Sequence, residues 1–199
     1  MADISIITAA FNAEVTIENC LSSVQNQQNV SVEHIVVDGG SRDRTVEIAR
    51  RIGNVSLLIS EPDDGIYDAM NKGVGLATGE IVGILNADDF YTDELVLSTV
   101  VRSFSDPEVD ACYGDLVYIA KGNESHQSKS YGTTPQNFKV LRYWKSGAFD
   151  PRKFYWGWMP PHPAFFVRRS VMKSMECSTW GSARLLIMKL CCGFCSSTS

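Results

Sequence analysis

Between Ser60 and Tyr91 the chain carries two pairs of adjacent carboxylates, Asp63-Asp64 and Asp88-Asp89, with Lys72 between them. Paired carboxylates at a turn suit a hard divalent cation, because Mg2+ and Mn2+ prefer oxygen ligands and keep positions open for phosphate oxygens. Asp88-Asp89, with Asn86 just before it, fits this use. Helix capping by Asp89 or Asp93 is the competing use, and it needs only one acid. Asp63, Asp64, Tyr67 and Asp68 are candidates for the wall of a sugar or phosphate pocket. Lys72 can meet a phosphate, yet with Asp68 it also makes an ordinary i,i+4 helical ion pair, and both readings stand. Asp38 can accept from base or ribose donors, as an acid does at a comparable place in dinucleotide folds; alone it is a turn residue. His162 sits between Pro161 and Pro163, which fix its direction. It is a candidate metal ligand or substrate donor, set against the commoner structural use of a lone histidine.

The elements around these residues put them in one place. Ile4 to Thr8 and Glu33 to Asp38 are short β-branched runs without alternation, the pattern of strands buried on both faces. Val55 to Ser60 and Glu80 to Leu85 read as two more strands. Helical spacing is found over Ala13 to Gln27 (Val15, Ile17, Leu21, Val24), Asp43 to Arg51 with Ser41 or Asp43 as N-cap, and Ile66 to Ala77. A further helix runs from after Asp93 to Phe104. Strands alternating with helices of this length predict right-handed βαβ units and a mostly parallel sheet with helices on both faces. Ligands on such sheets bind beyond the carboxyl ends of the strands, where Asn12, Asp38, Asp63-Asp64 and Asp88-Asp89 fall. Downstream, Asp110 to Ile119 predicts one strand, Glu124 to Tyr131 a polar β segment, and Ala164 to Val167 a short buried strand. The aromatic stretch from 132 to 160 reads either as a lid or acceptor groove or as loops covering the sheet.

Composition narrows the function. The chain has 199 residues, 44% of them hydrophobic, enough for one domain with a substantial core. A net charge of −5 supplies no basic face for nucleic acid. An acidic chain that binds phosphates needs a cation to bridge like charges. The N-terminus lacks the basic and long apolar regions of a secretory signal, and no window is apolar over the 18 or more residues of a membrane span. The expectation is a cytoplasmic protein, with work at the inner face of a membrane compatible with it. A nicotinamide cofactor is disfavoured, because the first crossover, AAFNAE, holds no glycine where G-x-G-x-x-G would stand.

Several motifs together carry a resemblance: Thr8 to Asn12 (TAAFN), residues 35 to 45 (IVVDGGSRDRT), residues 61 to 89 ending in NADD, and YGDL at 113 to 116. In this order they resemble a family 2 glycosyltransferase with the GT-A fold, similar to bacterial members that build polysaccharides. The resemblance covers about residues 3 to 173. It implies a UDP- or GDP-linked sugar donor, Mg2+ or Mn2+ on its diphosphate, a saccharide or lipid-linked acceptor, and inversion at the anomeric carbon. It assigns Thr8, Ala9, Phe11, Asn12, Asp38, Lys72 and Asp88 to the nucleotide. Asp88 and Asp89 go to the metal, and Asp63, Asp64, Tyr67 and His162 to the sugar or acceptor. Asn86 stands where the family's D-x-D-type motif has its first acid.

The resemblance also implies a general base, an Asp or Glu in a segment of the type A-x-D-Y-E beyond the Pro-His-Pro strand, and none occurs here. Residues 174 to 199 are compositionally foreign, with Cys177, Cys191, Cys192 and Cys195 crowded together. Read from the third base of the Ser174 codon, Met175-Glu176 must give glycine and Met188-Lys189 must give glutamate. The other codons permit Tyr-Gly-Val-Phe-Asn and then Ala-Ala-Asp-Tyr-Glu. A one-nucleotide frameshift near codon 174 is therefore expected. It makes residues 1 to 173 the domain, its C-terminal part incomplete, and the Cys192-x-x-Cys195 pair an out-of-frame coincidence. A nucleotide-sugar-binding remnant lacking the base is the alternative to an active enzyme.

Overall fold

The structure is a computed structural model that describes residues 2–121 and 138–176. Its centre is β1 (Ile4–Ala10), buried along its whole length. Ile7 and Ala9 pack into one apolar layer with Met70 and Val74, while Ile4 and Ile6 pack into the opposite layer with Cys20, Val24 and Leu97. Two-sided burial explains the largely apolar run, since burying each large aliphatic side chain is worth roughly 1.5–3 kcal/mol; the two polar residues in it, Ser5 and Thr8, are fully buried with side-chain hydrogen-bond partners in Glu33 and His34.

Around β1 the main sheet has the order β3-β2-β1-β4-β8-β5. β2 (Val32–Asp38), β3 (Leu57–Ser60) and β4 (Ile81–Ile84) join β1 in parallel. β8 (Phe165–Arg168) runs antiparallel between β4 and β5 (Ala111–Tyr113). The helices are α1 (Ile17–Gln25), α2 (Thr45–Ile52), α3 (Ile66–Leu76), α4 (Val96–Ser103) and α5 (Arg169–Glu176). α3 lies very close on β1: a Cβ at Gly73 would come within 2.4 Å of Ile7 Cγ2. The sheet is thus mixed but mostly parallel, with helices on both faces. Chain order reverses between β1 and β4, which have β2 and β8 as their outer neighbours, and the carboxyl ends of these two strands bracket the crevice where such sheets bind ligands.

Four expectations are corrected. α1 begins at Ile17, and Val15 is 67% exposed. The strand expected over Asp110 to Ile119 is divided at Gly114-Asp115. There the Asp115 carboxylate accepts from Ser146 N (2.9 Å) and Tyr143 Oη (3.0 Å), and the chain leaves the main sheet. β6 (Leu116–Lys121) then pairs antiparallel with β7 (Phe138–Trp144) in a separate two-stranded sheet, so part of the aromatic stretch is strand rather than loop. Neither Ser41 nor Asp43 is the N-cap of α2: Arg44 holds that position without a side-chain cap bond, and Asp43, one residue earlier, accepts from Thr45 N at 3.0 Å and Thr45 Oγ1 at 2.5 Å. The polar segment 124 to 131 and the tail from 177, with its cysteines, lie outside the described residues. Among the described residues no helix is long and apolar enough to cross a membrane.

Candidate active site

Beyond the carboxyl ends of β1 and β4 opens a cavity of about 670 Å3, lined by the Ala9 to Ala13 turn, Gly39, Asp63, the start of α3 and Asn86 to Asp88. Its floor is made of small residues because the backbone must come close. At Gly39 an added Cβ would stand 2.5 Å from Asp63 Oδ2, so glycine here is what lets the Asp63 carboxylate lie against the β2 end. Asp63 Oδ1 accepts from Gly65 N at 2.9 Å. Asn12 adopts the left-handed region at φ 49°, which asparagine tolerates. Its N–H donates to Ser41 Oγ (2.8 Å) and its Oδ1 accepts from Arg42 N (3.0 Å), tying the β1 and β2 turns together.

Asp88 and Asp89 form the acidic end. Among the described residues neither is in an ion pair with a lysine or arginine. Burial, and then repulsion from Asp88, pushes the Asp89 carboxyl up to about 6, against the opposing hydrogen bond from Asn86 Nδ2 (3.0 Å). Asn86 Nδ2 also lies 2.9 Å from His162 Nε2. Burial lowers the pKa of His162, while Asp88 draws it upward. Among the described residues no three His, Cys, Asp or Glu side chains converge as a preformed metal cage. The donor set nonetheless fits Mg2+ or Mn2+. Two uncompensated carboxylates, one of them resisting ionisation, want a cation, and these ions take one or two carboxylates and fill the rest with water and phosphate oxygens.

The sequence-based candidates divide. Ala9, Phe11 (63% exposed), Asn12, Asp63 and Asp88 line the cavity. Asp89 and His162 stand behind its acidic end, joined through Asn86. Thr8, Asp38, Lys72, Asp64 and Tyr67 do not line it. The Thr8 side chain is fully buried, its hydroxyl 3.0 Å from His34 Nε2. Asp38 is also fully buried. Its Oδ2 accepts from Gly40 N (3.1 Å), Ser41 N (3.0 Å) and Ser60 Oγ (2.7 Å), and its Oδ1 from Ser41 Oγ, so the carboxylate holds the loop after β2. Lys72 pairs with Glu61 (3.0 Å) and Asp68 (3.2 Å), which raise its pKa, and the helical ion-pair reading holds. Asp64 offers its N–H to Asp68 Oδ2 (3.3 Å), and Tyr67 packs on the core. Sequence reasoning missed Gly39, Gly65, Ala69 and Ala87 as cavity residues. Gly39 and Ala87 carry a readable signal, small residues just past the ends of β2 and β4; Gly65 and Ala69, at the start of α3, carry none.

Residues 5–174 match the family described as Glycosyl transferase family 2. A PGL/p-HBAD biosynthesis glycosyltransferase of Mycobacterium bovis is 32% identical over 172 residues, covering 84% of this chain and 59% of that protein. Putative glycosyltransferase EpsH of Bacillus subtilis is 32% identical over 159 residues, covering 76% of this chain and 46% of that protein. The chain thus spans about half to three fifths of the length of these relatives. Among solved structures, mannosyltransferase PcManGT from Pyrobaculum calidifontis in complex with GDP-Man and Mn2+ superposes with a TM-score of 0.61 at 22% identity, covering 87% of this chain and 46% of that one. S. aureus TarS 1-349 in complex with UDP-GlcNAc gives 0.64 at 18% identity, covering 94% and 53%. These likenesses establish a GT-A fold.

Proposed function

The chain belongs to glycosyl transferase family 2, and on that premise we propose that it takes a UDP- or GDP-linked sugar and passes the sugar, with inversion, to a saccharide or lipid-linked acceptor in polysaccharide or glycolipid synthesis. The observation that carries this reading is the cavity itself: a small-residue floor at one end and two uncompensated carboxylates at the other. Phe11 and Ile66, both largely exposed at its wall, offer apolar surface to a flat base. Asp63 faces the sugar, fixed by Gly65 N and by the space at Gly39. Asp88 and Asp89 would hold Mg2+ or Mn2+, since two carboxylates beside a diphosphate repel it without a cation. That ion, when bound, supplies Lewis-acid stabilisation of the departing nucleoside diphosphate. GDP-Man with Mn2+ in one solved neighbour and UDP-GlcNAc in the other support this donor class. A lipid-linked acceptor agrees with work at the cytoplasmic face of a membrane.

The test is thermal unfolding of the chain with UDP- and GDP-sugars, with and without Mn2+. Ligand at 100 times its Kd adds about 2.7 kcal/mol to a state that alone binds it, which raises the midpoint by several degrees. The expected shift requires Mn2+ and disappears in Asp89→Ala. A chain that no nucleotide sugar stabilises under either condition refutes the proposal.

A second reading, donor binding without turnover, is favoured by one observation. The family match stops at residue 174, and the sequence beyond it lacks the carboxylate-bearing segment that the resemblance places there. Mn2+-dependent binding without sugar transfer selects it. Resequencing the locus tests the frameshift: an intact read that encodes the same tail, with no open shifted frame beyond, removes that explanation.

A further inference from the structure

Asn86 follows β4 and His162 precedes β8, and the two strands are antiparallel neighbours with Gly83 opposite Phe166. Extending that register carries Asn86 to the Pro161–Pro163 turn. The side-chain amide then meets two groups at once, Asp89 Oδ2 at 3.0 Å and His162 Nε2 at 2.9 Å, both from Nδ2. An amide nitrogen is a donor only, with two hydrogens, and here both are used. His162 Nε2 must therefore accept, and the neutral imidazole carries its proton on Nδ1. Turning the amide over would set Oδ1 against the Asp89 carboxylate oxygen, so the charge on Asp89 selects this orientation. It is held at a cost, because Asn86 Oδ1 is buried with no hydrogen-bond partner among the described residues.

We propose that Asn86 is a positioning residue that locks the Asp89 carboxylate and the His162 imidazole into one unit, joining the cation side of the site to the Pro161–Pro163 turn. The amide engages Asp89 Oδ2 and leaves Oδ1 for a cation. It fixes the tautomer of His162 at the same time. A smaller or apolar side chain at this place frees both. The part concerning the cation rests on the donor-binding reading above; the part concerning the tautomer does not.

Nitrogen-15 NMR of the full chain at mildly alkaline pH reads the tautomers of its histidines, three in number, with His162→Gln assigning the signal. The wild type should show His162 as the Nδ1–H form. Asn86→Leu should return it to the Nε2–H form usual in water and leave His34, buried against Thr8, unchanged as a monitor of the fold. Binding of Mn2+ alone, followed by electron paramagnetic resonance, should weaken about tenfold or more in Asn86→Leu, the range for loss of a group that orients a metal ligand. An Nε2–H form in the wild type overturns the proposal whether or not the variant folds. So does an Asn86→Leu chain that keeps both the Nδ1–H form and the wild-type Mn2+ affinity. If the wild type binds no Mn2+, the cation reading fails, and the tautomer alone then decides whether Asn86 positions His162.

Discussion

Replacing Asp38 separates two roles that predict opposite outcomes. As a nucleoside contact, its removal would weaken ligand binding and leave stability untouched. As the anchor of the loop after β2, its removal frees four donors, the N–H groups of Gly40 and Ser41 and the hydroxyls of Ser41 and Ser60. A hydrogen bond to a charged group is worth roughly 1.5–3 kcal/mol. Gly40, Ser41 and Ser60 are not fully buried and can regain water, so the loss should amount to about two such bonds, or roughly 3–6 kcal/mol for Asp38→Ala. Asp38→Asn is the control. Its oxygen can keep the three donors at the Oδ2 position, and the Ser41 hydroxyl can turn to accept from the new amide, so the expected cost is about 1 kcal/mol. Urea unfolding followed by circular dichroism measures both, alongside nucleotide-sugar binding with Mn2+. An Asp38→Ala chain as stable as the wild type would refute the anchoring role, and an Asp38→Asn chain of near-normal stability that no longer binds nucleotide would restore the contact.

Three further predictions concern the cavity and its surroundings. Gly39→Ala places a Cβ 2.5 Å from Asp63 Oδ2 and must drive that carboxylate into the cavity; nucleotide-sugar affinity should fall tenfold or more, about 1.4 kcal/mol by calorimetry, with the unfolding midpoint little changed. Lys72→Gln removes two ion pairs of an accessible side chain and should leave Mn2+-dependent nucleotide binding unaltered; a large loss of affinity would return Lys72 to the phosphate site. Two buried groups oppose each other on acidification. Burial holds the His34 imidazole at about 4, below its ordinary 6.5, so it contributes stability above 6.5 that is lost as pH falls toward 4, about 3 kcal/mol in all. Asp89, raised to about 6, works the other way, since its buried charge costs stability above 6 and protonation relieves that cost. His34→Gln should accordingly lose less stability than the wild type as pH falls from about 6 to 4; a variant that loses as much as the wild type in that range contradicts the assignment.

What the sequence revealed was position along the chain, and what it concealed was direction. Strand ends can be read from where a β-branched run stops, so Asn12, Asp63 and Asp88 were legible as site residues: any side chain just past such an end is near the crevice. Thr8 and Asp38 lie within the strands, where the two-residue alternation decides which side a group faces, and a run that is apolar on both faces carries no trace of that alternation. Lys72 had Asp68 within helical reach, but its second partner, Glu61 after β3, is brought to it only by the fold. The link from Asn86 to His162 has a different cause. It depends on β8 entering the sheet antiparallel between β4 and β5, a pairing across some eighty residues that no local pattern encodes. The same insertion sets His162 opposite position 86, where the resemblance places an acid and this chain has asparagine. A third carboxylate beside Asp88 and Asp89 would add to the repulsion that already raises Asp89, whereas an amide lowers it and can also reach the imidazole across the sheet. An asparagine at this place thus serves both neighbours, the carboxylate on its own strand end and the imidazole opposite it, which an acid could not do without adding charge.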